Sequence, residues 1–402
     1  MLPCVLAVVA IVAGGGNATT AYAQRPLTRE QAVSAALATQ PVLALAAADS
    51  AAAAAGVATA RAYPNPSLTA QYSRAVPRYH TILDIPLDFP WIRSPRVGAA
   101  AAGSAAASLR LALARATVRF AAETSYARAL ALEAHARLSR GDALDADSLL
   151  RMARARMAAG DASELDVRLA EINAGQLENV AQDDSLTAQL ALLDLQRLVG
   201  LSADTVAVVL ADTLIIPGPD TSSFSATPVA VAAARADLEA AERAYALERR
   251  SVIAAPSFEA GIEGGDPSGD ERWPLPLFGL SIPLPLFDRH GGAIGAAAAS
   301  RDRARAALDL ATREARAAQV RASRERSLAI ARARRDARML GSARAVARMA
   351  LAAYAEGAAA LPNVLEAQRN ARAMLRQYAD DVAAAEVADA GLRLATAANE
   401  VP

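Results

Sequence analysis

Residues 279 to 295 read GLSIPLPLFDRHGGAIG, and they predict a strand that turns directly into a helix. Up to Phe287, leucine and isoleucine alternate with glycine, serine and proline, which is the two-residue period of a strand. Pro283 and Pro285 cannot donate a ladder hydrogen bond, so they indicate the end of a sheet. From Ile294 onward alanine, arginine and leucine predominate, and these residues favour a helix.

The same join occurs in the first half of the chain. Ile85-Pro86-Leu87 lies 197 residues before Ile282-Pro283-Leu284, and Gly98 and Gly295 each open a run of four alanines at that offset. The offset continues without a gap in the pairs Leu111/Leu308, Leu113/Leu310, Arg119/Arg316, Arg151-Met152-Ala153/Arg348-Met349-Ala350, Gly160/Gly357 and Val167/Val364. These matches predict an internal duplication of most of the chain.

Composition limits the possible functions. The 402 residues carry 42 basic and 42 acidic side chains, so there is no electrostatic reason to expect nucleic acid as a partner. Residues 1–23 predict an export signal, with an apolar run and the small-x-small cleavage pattern Ala21-Tyr22-Ala23. Cys4, the only cysteine, precedes that run, so the mature chain would have no thiol.

The first predicted repeat covers residues 24–200. Thr28 and Gln31 form a capping-box pattern that opens a helix reaching about Tyr63. An alternating segment at 67–89 predicts a β-hairpin. A helical pattern then runs from about Ser94 to Ala159, on the order of 95 Å at 1.5 Å per residue. A helix of that length must pack beside others, and its many alanines favour an alanine-lined coiled coil. The chain reverses near 160, because Gly160 can end one helix and Ser163, with Asp166 three residues on, can cap the next. The return helix runs to Leu198.

The second predicted repeat covers residues 227–402 and has the same order. A helix is followed by a hairpin at 257–287, a long helix, a reversal near 357 and a return helix. Residues 201–226, which include a β-rich stretch and a proline, glycine and serine loop, predict a connector between the repeats.

Each predicted hairpin has one apolar and one polar face, and such a hairpin is not stable alone in water. Its apolar face either packs against a helix or faces lipid in a closed barrel whose polar face lines a lumen. For a generic protein the packed sheet is the more common of these two arrangements.

Three features of the chain resemble the TolC-like outer-membrane efflux proteins. They are this order of elements, the Ile-Pro-Leu-Pro-Leu-Phe-Asp-Arg join, and the helix reversals in which a glycine precedes Leu-Asp-Val or Pro-Asn-Val. The resemblance implies a mainly α fold with a small β part and duplicated long α-helical hairpins in a coiled-coil barrel. It also implies a homotrimer in which each chain gives four strands to a twelve-stranded barrel in the outer membrane. The helices would form a tunnel across the periplasm.

The resemblance also implies roles for particular residues. The barrel lumen would contain Asp84, Asp88, Glu259 and Glu263. The helix reversals would form a tip on which a periplasmic adaptor, itself bound to an inner-membrane pump, docks through Gly160, Ser163, Leu165, Asp166, Val167, Gly357, Leu361, Pro362, Asn363 and Val364. Charges that could gate the tunnel are Asp161, Glu164, Asp166, Arg168 and Arg369, because rings of carboxylates favour cations.

Catalytic and cofactor motifs are absent from the sequence. His80, His135 and His290 are far apart and belong to no metal-binding pattern, and no phosphate loop or nucleophile elbow occurs. We therefore expect no enzyme, no cofactor and no metal site. The expected function is a passive exit duct for small solutes, drugs or metal ions, in a tripartite efflux or type I secretion system. The alternative is a soluble periplasmic coiled-coil scaffold or adaptor.

Overall fold

A computed structural model of the protein describes residues 25–75, 77–201, 208–219, 227–252, 255–265 and 275–398. The predicted export signal, 1–23, and parts of the predicted connector lie outside these residues. The elements of the first half are β1 Arg25–Leu27, α1 Arg29–Thr39, α2 Pro41–Arg61, β2 Ser67–Tyr72, β3 Tyr79–Pro86, α3 Pro90–Ala158 and α4 Glu164–Leu198. The elements of the second half are β4 Val208–Leu210, α5 Val229–Arg250, β5 Ser257–Gly264, β6 Leu275–Ser281, α6 Gly291–Ala355 and α7 Leu361–Thr396.

The opening helix is capped as predicted but is shorter than predicted. The Thr28 hydroxyl accepts a hydrogen bond from the backbone N–H of Gln31, and the Gln31 side chain accepts one from the backbone N–H of Thr28. The prediction of one helix to Tyr63 is wrong, because α1 ends at Thr39 and α2 begins at Pro41. Proline disfavours a helical conformation in the residue before it, and Gln40 is extended.

The strand-to-helix joins also differ from the prediction. Strand β6 ends at Ser281 and β3 at Pro86, so the strands predicted to reach 287 and 89 are too long. Pro283 and Pro285 have no N–H to offer a ladder, and they end β6 despite the apolar alternation beyond it. Both long helices then begin earlier than expected, at Pro90 and Gly291.

The helices pack side by side in two tiers that share α3 and α6. Next to the sheet, α3 contacts α2 and α5, and α5 contacts α6; toward the helix reversals, α3 contacts α4 and α7, and α7 contacts α6. By length and composition α2 and α3 could each cross a membrane, since each contains a stretch of 18 residues with high mean hydropathy. Both stretches are rich in alanine, whose small side chain lets these helices approach each other closely.

The two tiers meet at a core that also holds the connector. Strands β1 and β4 pair in parallel, with Leu27 opposite Leu210, and this core contains Tyr126 and Leu195. The Tyr126 hydroxyl donates to the Leu27 carbonyl at 2.8 Å, and burial raises its pKa. Of the β-rich stretch predicted before Ile216, only Val208–Leu210 is a strand among the described residues.

Candidate functional site

The four longer strands form one antiparallel sheet in the order β2-β3-β5-β6. The sequence predicted the two hairpins, and the structure joins them through β3 and β5, where Asp84 lies opposite Glu259 and His80 opposite Glu263. Each strand is connected along the chain to one helix of the adjoining tier, and the order of the strands matches the helix order α2-α3-α5-α6.

One face of the sheet carries the predicted polar side chains. The alternation of side chains places His80, Asp84, Glu259 and Glu263 on this face. The His80 Nδ1 atom lies 3.1 Å from a Glu263 carboxylate oxygen, and the Ser257 hydroxyl donates to Asp84 at 3.0 Å. Three of the four predicted lumen carboxylates, Asp84, Glu259 and Glu263, therefore lie on one surface.

The opposite face is apolar and remains exposed. Its exposed large side chains are Leu68, Tyr72, Tyr79, Ile85, Phe258, Ile262, Phe278 and Leu280, and Leu83 between them is half-buried. Phe278, for example, is 71% exposed. The apolar face therefore does not pack against the described helices of the chain, as a packed sheet in a soluble protein would require. A contiguous exposed apolar surface of this kind marks contact with a membrane or another protein.

Asp88 was predicted to face the lumen, and this prediction is wrong. Its side chain is 1% exposed, because it lies beyond the end of β3 and turns toward the start of α3. Its carboxylate is 2.8 Å from a guanidinium nitrogen of Arg96 and 3.5 Å from one of Arg93. A buried carboxylate requires such partners, so Asp88 fixes the strand-to-helix join instead of lining a pore.

The two helix reversals have the same backbone geometry. Gly160 and Gly357 adopt φ of +84° and +78°, a left-handed conformation that glycine adopts without strain. Ser163 then caps α4: its hydroxyl accepts from the backbone N–H of Asp166 at 3.2 Å, and an Asp166 oxygen accepts from the backbone N–H of Ser163 at 3.1 Å. The second return helix has no side-chain cap and begins with Leu361 and Pro362.

The tip has an apolar core that includes three of the predicted docking residues. Val167, Leu361 and Val364 are buried there with Leu149 and Tyr354, and Leu361 is only 1% exposed. These three side chains cannot contact a partner directly, so their assignment as docking contacts is corrected to a role in holding the two reversals together. The exposed predicted positions include Leu165, which is 66% exposed, as well as Pro362 and Asn363.

Arg156 joins the two reversals, and sequence reasoning missed it. Its guanidinium donates to the Tyr354 carbonyl at 2.5 Å and to the Asp161 carbonyl at 3.2 Å, and it lies over the Tyr354 ring, 4.7 Å from the centroid. Burial raises the pKa of Tyr354. In the alignment of the two repeats, Arg156 corresponds to Ala353. This difference between otherwise matching tips is the sequence signal that could have identified Arg156.

The predicted gate charges lie on the tip surface and are mostly paired within one helix. Arg168 lies 3.3 Å from Glu164 and 3.4 Å from Glu171, whereas Asp166 is engaged in the cap. Asp161 is exposed at the reversal. Among the described residues, neither Arg168 nor Arg369 forms an ion pair with Asp161 or Asp166.

Arg369 lines a groove of about 610 Å³ between α4 and α7, with α3 beneath it. Asp142 lies in this groove, and burial raises its pKa to about 6, although Arg372 and Arg376 oppose the shift. Arg376 also forms an ion pair with Asp184 of α4. Polar contacts therefore connect α7 to both helices of the first hairpin. Among the described residues no group of histidine, cysteine or acidic side chains has the arrangement of a metal site.

The combination of duplicated helical hairpins with one four-stranded sheet also occurs in outer-membrane channels of known structure. No protein-family model and no curated protein matches the sequence. The chain is similar in structure to the outer membrane protein VceC of Vibrio cholerae, with a TM-score of 0.77 and 20% identity over 92% of this chain and 96% of that one.

Two further channels have the same architecture. CusC, known from crystal structures concerned with transmembrane channel formation, aligns with a TM-score of 0.76 and 17% identity over 96% of this chain and 95% of that one. The Campylobacter jejuni outer membrane channel CmeC aligns with a TM-score of 0.75 and 14% identity over 97% of this chain and 93% of that one. The resemblance to the TolC-like proteins is thus confirmed at the level of the fold.

Proposed function

We propose that this protein is the outer-membrane exit duct of a tripartite efflux or type I secretion system. The observation that carries the proposal is the sheet, which exposes a continuous apolar face while its polar face collects Asp84, Glu259 and Glu263. In a membrane every backbone N–H and C=O must be paired, so a sheet spans lipid only when it closes into a barrel.

The outer strands and outer helices of the chain support closure of a barrel with further copies. Strands β2 and β6 are the outer strands of the sheet, and their helices α2 and α6 are the outer helices of the adjoining tier. Pairing β6 of one subunit with β2 of the next closes the ring without crossing any connection. Three copies would provide twelve strands, which agrees with the trimer implied by the resemblance. The helices would then enclose a tunnel across the periplasm.

Transport through such a duct is passive. Carboxylates on the polar face would line the lumen, and the exposed acids Asp161 and Glu164 would be repeated around the threefold axis at the tip. The tip would dock a periplasmic adaptor through exposed residues such as Leu165, Pro362 and Asn363, while the buried residues beneath them keep its shape. The energy comes from an inner-membrane pump, so the chain needs no catalytic residue.

Fractionation and conductance test this proposal. We expect the protein in the outer membrane as a detergent-soluble trimer that resists heating, and we expect the purified trimer to form ion-conducting pores in planar lipid bilayers. A monomer released by osmotic shock, with no conductance, would exclude the duct and favour the soluble periplasmic scaffold or adaptor.

A further inference from the structure

Two aspartates are buried at the contact between α6 and α7, the two helices of the second hairpin. Asp336 of α6 is 8% exposed and Asp381 of α7 is 9% exposed. Ala333, one turn before Asp336, and Ala385, one turn after Asp381, are fully buried. The two acids therefore lie among the side chains that pack one helix on the other. Aspartate is rarely buried at such a position unless it is paired.

A contact nearer the sheet fixes the register of these two antiparallel helices. The Arg326 guanidinium of α6 lies 2.6 Å from the Asp389 carboxylate of α7. From this ion pair toward the tip, Asp336 lies about 15 Å along α6 and Asp381 lies about 12 Å along α7, at 1.5 Å per residue. The two acids are thus at nearly the same height, and their carboxyl groups are within hydrogen-bonding reach of each other.

Charged groups around the pair interact with other partners. Within the described part of the chain, neither Asp336 nor Asp381 forms an ion pair with a basic side chain. Arg335, next to Asp336 in the sequence, is exposed and acts on it only through its charge. Other charged residues of α7 near this height interact across to other helices: Asp380 with His135 of α3, Arg372 with Asp142 of α3, Arg376 with Asp184 of α4 and Glu386 with Arg29 of α1. The two acids therefore face each other without a paired cation among these residues.

One oxygen of the pair has no hydrogen-bond donor. The Oδ2 atom of Asp336 is buried and has no hydrogen-bond partner among the residues that the structure describes. Two ionised carboxylates cannot hydrogen-bond to each other, because both only accept, and like charges this close repel. A proton on either carboxyl group supplies the donor and removes one charge. Burial and the hydrogen bond to Asp381 accordingly raise the pKa of Asp336, although Arg335 opposes the shift.

The first hairpin has no such pair, although the repeats match around it. At the offset of 197 residues, Asp336 corresponds to Ser139 and Asp381 corresponds to Asp184. Ser139 is fully buried, and its hydroxyl donates to the His135 carbonyl at 3.0 Å. The contact between the helices of a hairpin can therefore be built with a single acid, so the pair of acids is particular to the second hairpin.

We propose that Asp336 and Asp381 share one proton, and that this proton is a latch that holds α7 against α6. When the proton leaves, two buried negative charges are in contact, and the repulsion favours separation of the helices. The second hairpin is then tightest in acid solution and loosens as the pH rises. Because α6 and α7 are joined by the reversal at Gly357, the loosening extends to the tip. This last step rests on the proposed duct, whereas the shared proton does not.

The pH dependence of stability tests the shared proton. The urea midpoint of the full-length parent chain should fall between about pH 5 and 9, because the raised pKa of Asp336 stabilises the folded state only while the proton is bound. Asp336→Asn gives Asp381 a permanent donor and should make this fall smaller, and Asp381→Asn should reduce it by about the same amount. The double variant should reduce it no further. Glu325→Gln, at an exposed position of α6, should leave the fall unchanged.

Two results would overturn the sharing. If the aspartates titrate independently, the reductions caused by the two single variants will add up in the double variant. If neither aspartate holds a proton, the parent chain and Asp336→Asn will have parallel pH profiles. Infrared spectroscopy detects the proton itself: above about pH 5 the parent chain should show the carbonyl stretch of one more protonated carboxyl group than either single variant.

Conductance in planar lipid bilayers tests the effect on the tip. Between about pH 6 and 9 the conductance of the parent trimer should rise more than that of Asp336→Ser, which carries the residue of the first repeat at this position. Equal pH responses of the two trimers, together with the expected stability profiles, would overturn the step from the latch to the tip. A parent chain that forms no pores would overturn the duct and leave the shared proton intact.

Discussion

Phe278 provides a direct test of which face of the sheet meets lipid. It lies near the middle of β6, about 10 Å from Ser281, on the apolar face beside Phe258, with 6.3 Å between the ring centroids. Replacing it by arginine forfeits about 2 kcal/mol of apolar burial in the bilayer. An arginine near the bilayer midplane costs about 2–4 kcal/mol more. Phe278→Arg should therefore destabilise each inserted subunit by about 4–6 kcal/mol.

The neighbouring residue provides the matched control. Leu277 precedes Phe278 in β6 but lies on the polar face, opposite Gly261 and near Glu259. Leu277→Arg adds the same charge to the aqueous side and should cost less than about 1 kcal/mol. The assay is urea unfolding of trimers in lipid vesicles, together with the amount of heat-resistant trimer in outer membranes.

The result that would refute the reasoning is equally clear. In a soluble protein Phe278 would be an ordinary exposed aromatic, and arginine there would be neutral or would improve solubility. Equal stability of the Phe278→Arg variant and the parent chain would therefore place this face in water. A larger loss for Leu277→Arg would mean that the two faces have been assigned the wrong way round.

Three further comparisons between variants test the tip, the long helix α6 and the groove. Leu361→Ala should destabilise the protein by about 3 kcal/mol in urea unfolding, because it leaves a cavity in the tip core. Leu165→Asp, on the exposed surface, should alter stability by less than about 0.5 kcal/mol yet reduce pump-dependent efflux. A larger loss of stability for Leu165→Asp than for Leu361→Ala would contradict the assignment of core and surface. Gly357→Ala should lower the free energy of unfolding by about 1 kcal/mol, because the backbone of residue 357 has a positive φ. Gly341 lies within a helix with open space around it, so Gly341→Ala should raise the free energy of unfolding by about 0.5–1 kcal/mol in the same assay. The raised pKa of Asp142, about 6, favours the folded state below pH 4, and that contribution to stability is lost as the pH rises through 6. Relative to Asp142→Asn, the free energy of unfolding of the parent chain should fall by about 1 kcal/mol between pH 4 and 7, after allowance for solvent screening. Parallel pH profiles of stability for the two proteins would contradict this prediction.

Local sequence signals predicted the elements well where the backbone alone decides them. The capping boxes at Thr28 and Ser163, and the left-handed glycines 160 and 357, are read from residues within one turn of each other. The alternation in the strands also predicted which side chains share a face, because that period is a property of the strand itself.

Errors arose where an alternating pattern continued past the end of its strand and where other helices buried part of a motif. The apolar alternation continues to Leu286, but Pro283 and Pro285 end β6 at Ser281, and Asp88 lies past the end of β3, where it pairs with Arg96. Val167, Leu361 and Val364 belong to a conspicuous motif, yet they are buried by Leu149 and Tyr354 from other helices. A motif identifies a region, but it does not indicate which of its side chains face outward.

The sequence by itself determined the duplication, the long helices with their reversals and the two-faced strands, because periodicity, capping and glycine conformation act over a few residues. Only the tertiary structure decided that β3 pairs with β5, that the apolar face of the sheet is left uncovered and that α4 and α6 form the outer edges. These features depend on which surfaces remain after every helix has packed, and burial is a property of the whole chain rather than of any one segment.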